Sequence, residues 1–535
     1  MPSINHVPNR PRHSRRLAAG LVGLVALSLA ACSPPSSNTS GGAGNGAESG
    51  SEPKVLNVIQ QAGAGTLDPA LANQAMQWYL DLAYSPLIQR STVDGYRPAL
   101  ATSWGYVGEG NMAFELTLRE GVVFADGSPL TAQAVVDHMN YVKEAGGQAS
   151  TLMGDFGAVT APDQMTVRID LVSPNPLMEY LLSQSGFGIT QIISPKGLQD
   201  PEALGSQTFG AGPYILDTSR TVRDDTYVYT PNPTYWDPDG QYWDEVVIKV
   251  IPNINSVLNA MIAGQGDITQ GDYSTADLAK DAGLHVKFVP NVFQGLSLMD
   301  RDGAIVPALG DVRVRQAINY ALDREAITEA LLGEYGVPTT QTLTGEGFQP
   351  ELDNYYAYDL DKAKALMAEA GYADGFDLPV VSTPFFNGDA IVQAIAGQLA
   401  EIGVNVQIDS KADANDYVTA MASGEFPASL IGYGTQPMFI EGPGLFLPGA
   451  LFNPFHTEDA QISEWYAELA VASDADRVGI CEQIETRLVE LAWFAQTTWV
   501  PLGTYSSAKI DTAAIDATTG DNPIVGIVEL KPAGV

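Results

Sequence analysis

The sequence predicts a large mixed α/β protein that is exported from the cytoplasm and folds as two or three domains. Its 535 residues exceed what a single hydrophobic core usually organises. Short apolar strands alternate with helical patterns, as in LPVVST (378–383), a helix over about 388–402, and VNVQID (404–409), which together predict a strand–helix–strand unit. A basic segment followed by an apolar one at the N-terminus is typical of a secretory signal.

The other elements follow from the spacing of the apolar residues. Strands show alternating or continuous apolar runs, whereas helices place apolar residues three or four positions apart and often end at a glycine. We predict strands at KVLNVIQ (54–60), FELTL (114–118), VVIKVI (246–251) and TTWVPLGTY (497–505), and helices over 73–87, over 255–263 before Gly264, over 361–370 before Gly371, and twice within 460–495.

Residues 1–31 are predicted to be a lipoprotein signal peptide. The apolar run LAAGLVGLVALSLAAC (17–32) follows four arginines, and its roughly 15 apolar residues fall short of the roughly 20 that span a membrane. Its end, LAAC, resembles the bacterial lipobox, in which the cysteine, here Cys32, carries the lipid. The alternative is an ordinary signal peptide with a chance cysteine, and the export route, Sec or twin-arginine, stays open. Residues 32–52 are rich in Ser, Gly, Asn and Pro and predict a flexible linker.

The strongly acidic charge restricts the partners of the protein. The formal net charge is −36, and removal of the four signal-peptide arginines leaves about −40. Such a surface repels nucleic acid and anionic lipid headgroups. Beyond Cys32 the only cysteine is Cys481, which therefore has no internal disulfide partner and is interpreted as a buried structural thiol.

One stretch resembles an active site at first reading. LREGVVFADGSPLTAQAVVDHMNYV (118–142) brings Asp126, Ser128, Asp137 and His138 close together in sequence. Adjacent helical positions point about 100° apart, so Asp137 and His138 are not expected to converge on Ser128. We instead predict a turn at Asp126, a helix capped by Thr131, and a buried stripe on that helix formed by Val135, Met139 and Val142.

Signatures of catalysis and metal binding are missing from the sequence. His138, His285 and His456, the histidines of the mature chain, are far apart and lack neighbours at metal-ligand spacing. HExxH, paired CxxC, GxSxG and the phosphate-binding Gly-Lys motif do not occur. We therefore predict no metal, no cofactor and no catalytic residue. A secreted hydrolase or glycosidase with two catalytic carboxylates stays open, because 63 acidic residues leave it untestable from sequence.

Eight segments in order carry a resemblance to a known family. The chain resembles the family 5 extracellular solute-binding proteins, which are dipeptide- and oligopeptide-binding receptors of ABC importers. The segments are TLDPA (66–70), RPALATSW (97–104), FELTLREGVVFADGSPLTAQAV (114–135), FGAGPYIL (209–216), NPTYWD (232–237), VLNAMIAGQGDI (257–268), DVRVRQAINYALDREAI (311–327) and YDLDKAKALMAEAGY (358–372).

The resemblance implies an α/β, three-domain fold of the periplasmic-binding-protein type (cluster C). The solute would lie in a hinged cleft between domains I and III, with hinges near 293 and 500. The implied boundaries are 53–92, 208–293 and 500–535 for domain I, 93–207 for domain II, and 294–499 for domain III.

The family pattern changes at the expected position of an ammonium-binding aspartate. Many peptide-binding members carry an Asp after a Gly-Trp, and the corresponding stretch here is SLIGYGTQPMFIEGPGLFLPG (429–449). Gln436 or Thr435 takes the place of that Asp, and the nearest downstream acid is Glu441. A buried ammonium without a carboxylate is costly, so the change argues against an ordinary free-amine peptide unless Glu441 substitutes for the aspartate.

Aromatic and amide side chains at the implied cleft are the candidate ligand contacts. Flat aromatic rings and amides suit a peptide backbone or a sugar face equally. Trp78 and Phe385 are also plausible core residues. The candidates are Gln74, Trp78, Phe293, Gln294, Phe385, Asn387, Tyr433 and Gln436.

The resemblance therefore implies a solute-binding lipoprotein and not an enzyme. It would be a monomer, held by its lipid anchor at the outer face of the cytoplasmic membrane, that captures an oligopeptide or peptide-like solute and delivers it to an ABC permease and its ATPase. The alternatives are the same role for a glycoside, an oligosaccharide or another neutral solute, a secreted carboxylate-pair hydrolase, and a sensor or chaperone lipoprotein of the same fold.

Overall fold

An eleven-stranded mixed sheet runs through the computed structural model, which describes residues 53–534. The strands within that range are β1 (Val55–Gln60), β2 (Ile88–Ser91), β3 (Gly95–Pro98), β4 (Ala101–Tyr106), β5 (Ala113–Leu118), β6 (Phe156–Thr160), β7 (Thr166–Leu171), β8 (Tyr214–Leu216), β9 (Thr226–Pro231), β10 (Glu245–Val250), β11 (Ile268–Gly271), β12 (His285–Leu298), β13 (Val337–Pro338), β14 (Phe376–Ser382), β15 (Val404–Ser410), β16 (Ala428–Gly434) and β17 (Phe494–Ser506).

The helices lie between these strands and cover the faces of the sheets. In chain order they are α1 (Gln77–Asp81), α2 (Ala132–Ala145), α3 (Gln148–Leu152), α4 (Met178–Leu181), α5 (Pro195–Leu198), α6 (Pro201–Leu204), α7 (Ile254–Ile262), α8 (Ala276–Asp281), α9 (Val312–Tyr320), α10 (Arg324–Leu332), α11 (Leu360–Glu369), α12 (Gly388–Leu399), α13 (Ala414–Ala422), α14 (Met438–Leu445), α15 (Ala460–Val471), α16 (Asp474–Glu490) and α17 (Ala513–Asp516).

Two long strands, β12 and β17, lie side by side near the centre of the large sheet. Its order is β15-β14-β16-β12-β17-β11-β1-β10-β9-β8, with β13 added to β17. The first part of β12 pairs with the end of β17, and its second part pairs with both β16 and the start of β17. The register of the β12–β17 ladder shifts between Pro290 and Val292. A separate sheet, β4-β5-β7-β6, packs with α2 over a core of its own.

Most predicted strands and helices are confirmed, and their boundaries follow local signals. Gly264 and Gly371 lie two positions after the last residues of α7 and α11 and have φ of +69° and +87°, the left-handed conformation that glycine adopts without penalty. The parallel pairing of β14 with β15 across α12 confirms the predicted strand–helix–strand unit.

The predicted helix over 73–87 is wrong in length. A single 3₁₀ turn at Gln74–Met76 leads into α1, which ends at Asp81. Beyond it the carbonyls of Leu82 and Ala83 accept hydrogen bonds from Tyr214 and Gly212, so tertiary contacts replace further helical turns. A Cβ on Gly212 would lie 2.3 Å from the Ala83 backbone, which explains why glycine occupies this position.

The polar residues around α2 have structural roles. Thr131 accepts a hydrogen bond from the Ala134 N–H, and the stripe of Val135, Met139 and Val142 is fully buried, each worth about 1.5–3 kcal/mol. His138 is buried between backbone groups: its Nε2 lies 2.8 Å from the Gly188 carbonyl oxygen, and its Nδ1 accepts the Ile193 N–H at 3.2 Å. Desolvation lowers the pKa of His138 to about 4.

Candidate solute-binding site

A polar cleft opens beside the place where β12 passes β16. It consists of two neighbouring cavities of about 120 Å³ and 90 Å³. Both are lined by Arg90, Tyr180, Thr435, Gln436 and Asp521. These five residues come from segments far apart in sequence, so the fold alone brings them together.

Amide side chains dominate the wall of the larger cavity. Each can both donate and accept hydrogen bonds, which suits a ligand that presents carbonyl and N–H groups in alternation. The amides are Gln74, Gln77, Gln148, Gln184, Asn291, Gln436 and Asn522.

The lining of the smaller cavity adds a second pair of opposite charges. Arg477 of α16 donates to both carboxylate oxygens of Glu346 at 2.8–2.9 Å and also contacts Asp474 at 2.8 Å. Arg90 is paired more loosely, with Asp521 Oδ2 at 3.4 Å. The charged residues lining the cleft are therefore two arginines and two acids, although the whole chain is strongly acidic.

A buried acid holds the loop that carries Gln436 through a hydrogen bond to its backbone. The Gln436 N–H donates to Glu441 Oε1 at 3.1 Å, and Glu441 has no exposed surface. Desolvation raises the pKa of Glu441 well above its usual range. Glu441 is therefore inaccessible in this structure, and burial disfavours its ionised form, which argues against its use as a counter-ion for a solute ammonium.

The structure brings only two of the predicted contact residues, Gln74 and Gln436, into the same cavity. Tyr433 lies beside them in β16, with its ring 6.0 Å from that of Phe293. Desolvation raises the pKa of Tyr433 to about 12. A ligand contact by Gln74, Tyr433 or Gln436 stays a prediction.

The other predicted contact residues lie outside the two cavities. Trp78 is 3 % exposed and donates its indole N–H to the Val525 carbonyl oxygen at 3.0 Å, so it is a core residue in this structure. Phe293 and Gln294 are buried in β12. Phe385 is 45 % exposed, and Asn387 precedes α12 with a left-handed backbone. Neither Phe385 nor Asn387 lines the cleft.

Sequence reasoning missed the charged residues of the cleft. Arg90, Asp521, Arg477 and Glu346 carry no motif, and their separation in the chain leaves no local pattern.

Cys32, the predicted lipidation site, lies outside the described residues. Within residues 53–534, acids, histidines and cysteines form no group suited to a metal ion, and no helix there is long and apolar enough to cross a membrane.

Comparison with known proteins places this cleft in a family context. The family described as bacterial extracellular solute-binding proteins, family 5 (middle region), matches residues 95–442. Glutathione-binding protein GsiB of Escherichia coli K12 is 24 % identical over 465 residues, which cover 82 % of this chain and 86 % of GsiB.

Solved structures share the fold at low sequence identity. The substrate-binding protein CtaP of Listeria monocytogenes aligns with a TM-score of 0.74 at 22 % identity, covering 90 % of this chain and all of CtaP. DppA of Helicobacter pylori, solved with the peptide STSA, aligns with a TM-score of 0.65 at 20 % identity, covering 89 % of this chain and 98 % of DppA.

The chain belongs to the family 5 extracellular solute-binding proteins of ABC importers. Members of this family are extracytoplasmic, non-enzymatic carriers that hand a solute to a permease. The mixed α/β, periplasmic-binding-protein fold that the resemblance implied is therefore confirmed.

Proposed function

We propose that this protein captures a peptide-like solute in the cleft around Gln436 and delivers it to an ABC permease driven by its ATPase. The observation that carries the proposal is the group of amide side chains in the cavity wall, six besides Gln184, whose amide bonds the Arg90 backbone. Amides match the alternating donors and acceptors of a peptide backbone. The glutathione-binding relative and the peptide complex of DppA support the same solute class.

We place the hinge of this receptor where β12 crosses β17. Pro290 lies opposite Pro501 in the ladder, directly before the register shift. Neither proline has an N–H to donate, so the sheet is held by fewer hydrogen bonds there than on either side. The predicted domain boundaries near 293 and 500 fall at this weak point. A change of the backbone dihedral angles here would move the side of the cleft that carries Gln436 relative to the side that carries Gln74. A solute that binds both sides would favour the closed form.

The proposal is tested by calorimetric titration of the purified mature protein with two solute sets. One set contains tripeptides and glutathione, and the other contains neutral disaccharides and trisaccharides. We expect binding of members of the first set and their recovery unchanged after the titration. Binding confined to the saccharide set would favour the alternative of a glycoside receptor, and cleavage of a bound solute would favour a hydrolase.

A contact between the β4–β5 loop and the end of α15, which joins the predicted domains II and III, is expected to slow release of the solute. Asn111, in the β4–β5 loop, donates its amide to the carbonyl oxygens of Ala470 and Ala472 at 3.2 and 3.1 Å. These carbonyls lie at the end of α15. Asn111 has φ of +53°, so Asn111→Gly removes the amide without straining the backbone.

Asn111→Gly is therefore expected to raise the dissociation rate of the solute about 5- to 150-fold, as two hydrogen bonds of about 0.5–1.5 kcal/mol each predict. Stopped-flow measurements should show a nearly unchanged association rate. Glu109→Ala, in the same loop and exposed, is the control and is expected to leave both rates unchanged. Equal dissociation rates in Asn111→Gly and wild type would contradict closure through this contact.

We further propose that Cys32 carries a lipid that tethers the receptor beside its permease. Cys32→Ser is expected to abolish incorporation of a labelled fatty acid and to move the protein from the membrane fraction to the soluble fraction. Cys481→Ser is the matched control because it removes the only other cysteine, and it should leave lipid labelling intact. Labelling that persists in Cys32→Ser would show that another residue carries the lipid. Membrane association without labelling would show that an uncleaved signal anchors the protein.

A further inference from the structure

Arg90 lies at the junction of the two cavities that form the cleft. It is held there by its neighbours: the Gln184 side chain accepts the Arg90 N–H at 2.9 Å and donates to the Arg90 carbonyl oxygen at 2.6 Å. The guanidinium lies 5.3 Å from the centre of the Tyr180 ring and donates to Ser185 Oγ at 3.3 Å. Contacts within the protein thus fix both the backbone and the side chain of Arg90.

The ion pair that Arg90 makes is weak by its geometry. Asp521 approaches with a single carboxylate oxygen at 3.4 Å, and its side chain is 51 % exposed. The same Arg90 nitrogen donates a shorter hydrogen bond, 3.0 Å, to the backbone carbonyl oxygen of Asp521. Arg477, in contrast, has a bidentate carboxylate partner at 2.8–2.9 Å and a further acid at 2.8 Å. A guanidinium binds a carboxylate best through two parallel hydrogen bonds, and Arg90 does not have that arrangement with Asp521.

We propose that Arg90 binds a carboxylate group of the solute and that the Asp521 side chain occupies this position until the solute arrives. The inference rests on the proposed function and narrows its solute class to peptide-like molecules with a free carboxylate. A solute carboxylate in the bidentate position would displace a monodentate, half-exposed one. It would also leave the neutral amides of the cleft to bind the rest of the solute.

The test compares two pools of random tripeptides, one with free C-terminal carboxylates and one with C-terminal amides. Each pool is equilibrated with the folded protein, and retained peptides are quantified by mass spectrometry. Wild type is expected to retain the carboxylate pool about 10- to 100-fold more strongly, the range of a charge-assisted pair. Arg90→Gln should abolish this preference and keep the binding of amidated peptides, whereas Arg90→Lys should keep part of the preference.

Two further variants make the test specific to this ion pair. Asp521→Asn should strengthen retention of the carboxylate pool about 2- to 5-fold, because it removes the internal competitor. Arg97→Gln is the matched control: Arg97 lies in β3, outside both cavities, paired with Glu529 at 3.2 Å. It is expected to keep the wild-type preference.

The possible failures of the two proposals are distinct. An undiminished carboxylate preference in folded Arg90→Gln, or no preference in wild type, would overturn the role of Arg90 alone. Retention of a glucuronic acid disaccharide in place of both peptide pools, lost in Arg90→Gln, would support carboxylate recognition and overturn the peptide-like solute. Retention of none of these probes by wild type would overturn both.

Discussion

Replacing Arg324 with methionine is expected to lower the free energy of unfolding by about 3–5 kcal/mol. The Arg324 guanidinium is buried and has no carboxylate partner among the described residues, and it is surrounded instead by amide oxygens. It donates to the carbonyl oxygens of Thr339, Gln496, Asn319 and Tyr356 and to Asn319 Oδ1, at 2.7–3.1 Å. Methionine fills similar space and donates none of these hydrogen bonds.

The substitution is also expected to disturb the cleft, because Arg324 connects β17 with the segment that begins at Thr339. That segment continues into Leu343, Gly345 and Glu346, which line the smaller cavity. Urea denaturation followed by tryptophan fluorescence measures the loss of stability. Arg313→Met on the preceding helix is the control, since that side chain is 44 % exposed and a surface pair contributes at most about 1 kcal/mol. Equal losses in the two variants would contradict the structural role of Arg324.

Glu485 is expected to contribute stability that is lost as pH rises from about 4.5 to about 7. This side chain has no exposed surface and accepts hydrogen bonds from the N–H and hydroxyl of Thr342 at 2.6 and 2.8 Å. Desolvation raises its pKa from 4.5 to about 7, and the negative charge of Asp353 adds to the increase.

The sign follows from proton binding. Between the two pKa values the folded state holds a proton on Glu485 that the unfolded state has released, so raising pH favours unfolding. Below about 4.5 both states are protonated and above about 7 both are ionised, so the contribution is constant outside this window.

The pH effect of Glu485 is measurable as a difference between variants. Glu485→Gln keeps a neutral group of the same shape. It is expected to remove the contribution of Glu485 to the slope of the free energy of unfolding against pH between pH 4.5 and 7. Urea midpoints at pH 4, 5, 6, 7 and 8 measure the slope. Glu482→Gln, on the same helix and only half-buried, is expected to retain the wild-type slope. Parallel pH profiles for wild type and Glu485→Gln would contradict the assignment.

Local sequence signals predicted the elements whose causes are local. Thr131 caps α2, Gly264 and Gly371 follow their helices with positive φ, and β14-α12-β15 forms the expected parallel unit. Where neighbours in space determined the outcome, prediction failed: α1 is short because the carbonyls of Leu82 and Ala83 accept hydrogen bonds from the start of β8 and the segment before it.

The candidate site was predictable only in part for the same reason. Gln436 was identified through the family pattern, and it lines the cleft together with Gln74. The pairing of Arg90 with Asp521 joins residues 431 positions apart, and no spacing rule connects them. Trp78 has the residue type of a ligand contact, yet its indole N–H bonds a backbone carbonyl in the core.

Native mass spectrometry of the mature protein, purified gently from the extracytoplasmic fraction of its own cells, identifies the solute that the protein carries. We predict a bound species whose mass and fragmentation identify a peptide-like molecule with a free carboxylate. That molecule should be released intact on mild denaturation and rebind to the refolded protein. A co-purifying neutral saccharide, or a bound molecule recovered as cleavage products, would contradict the account.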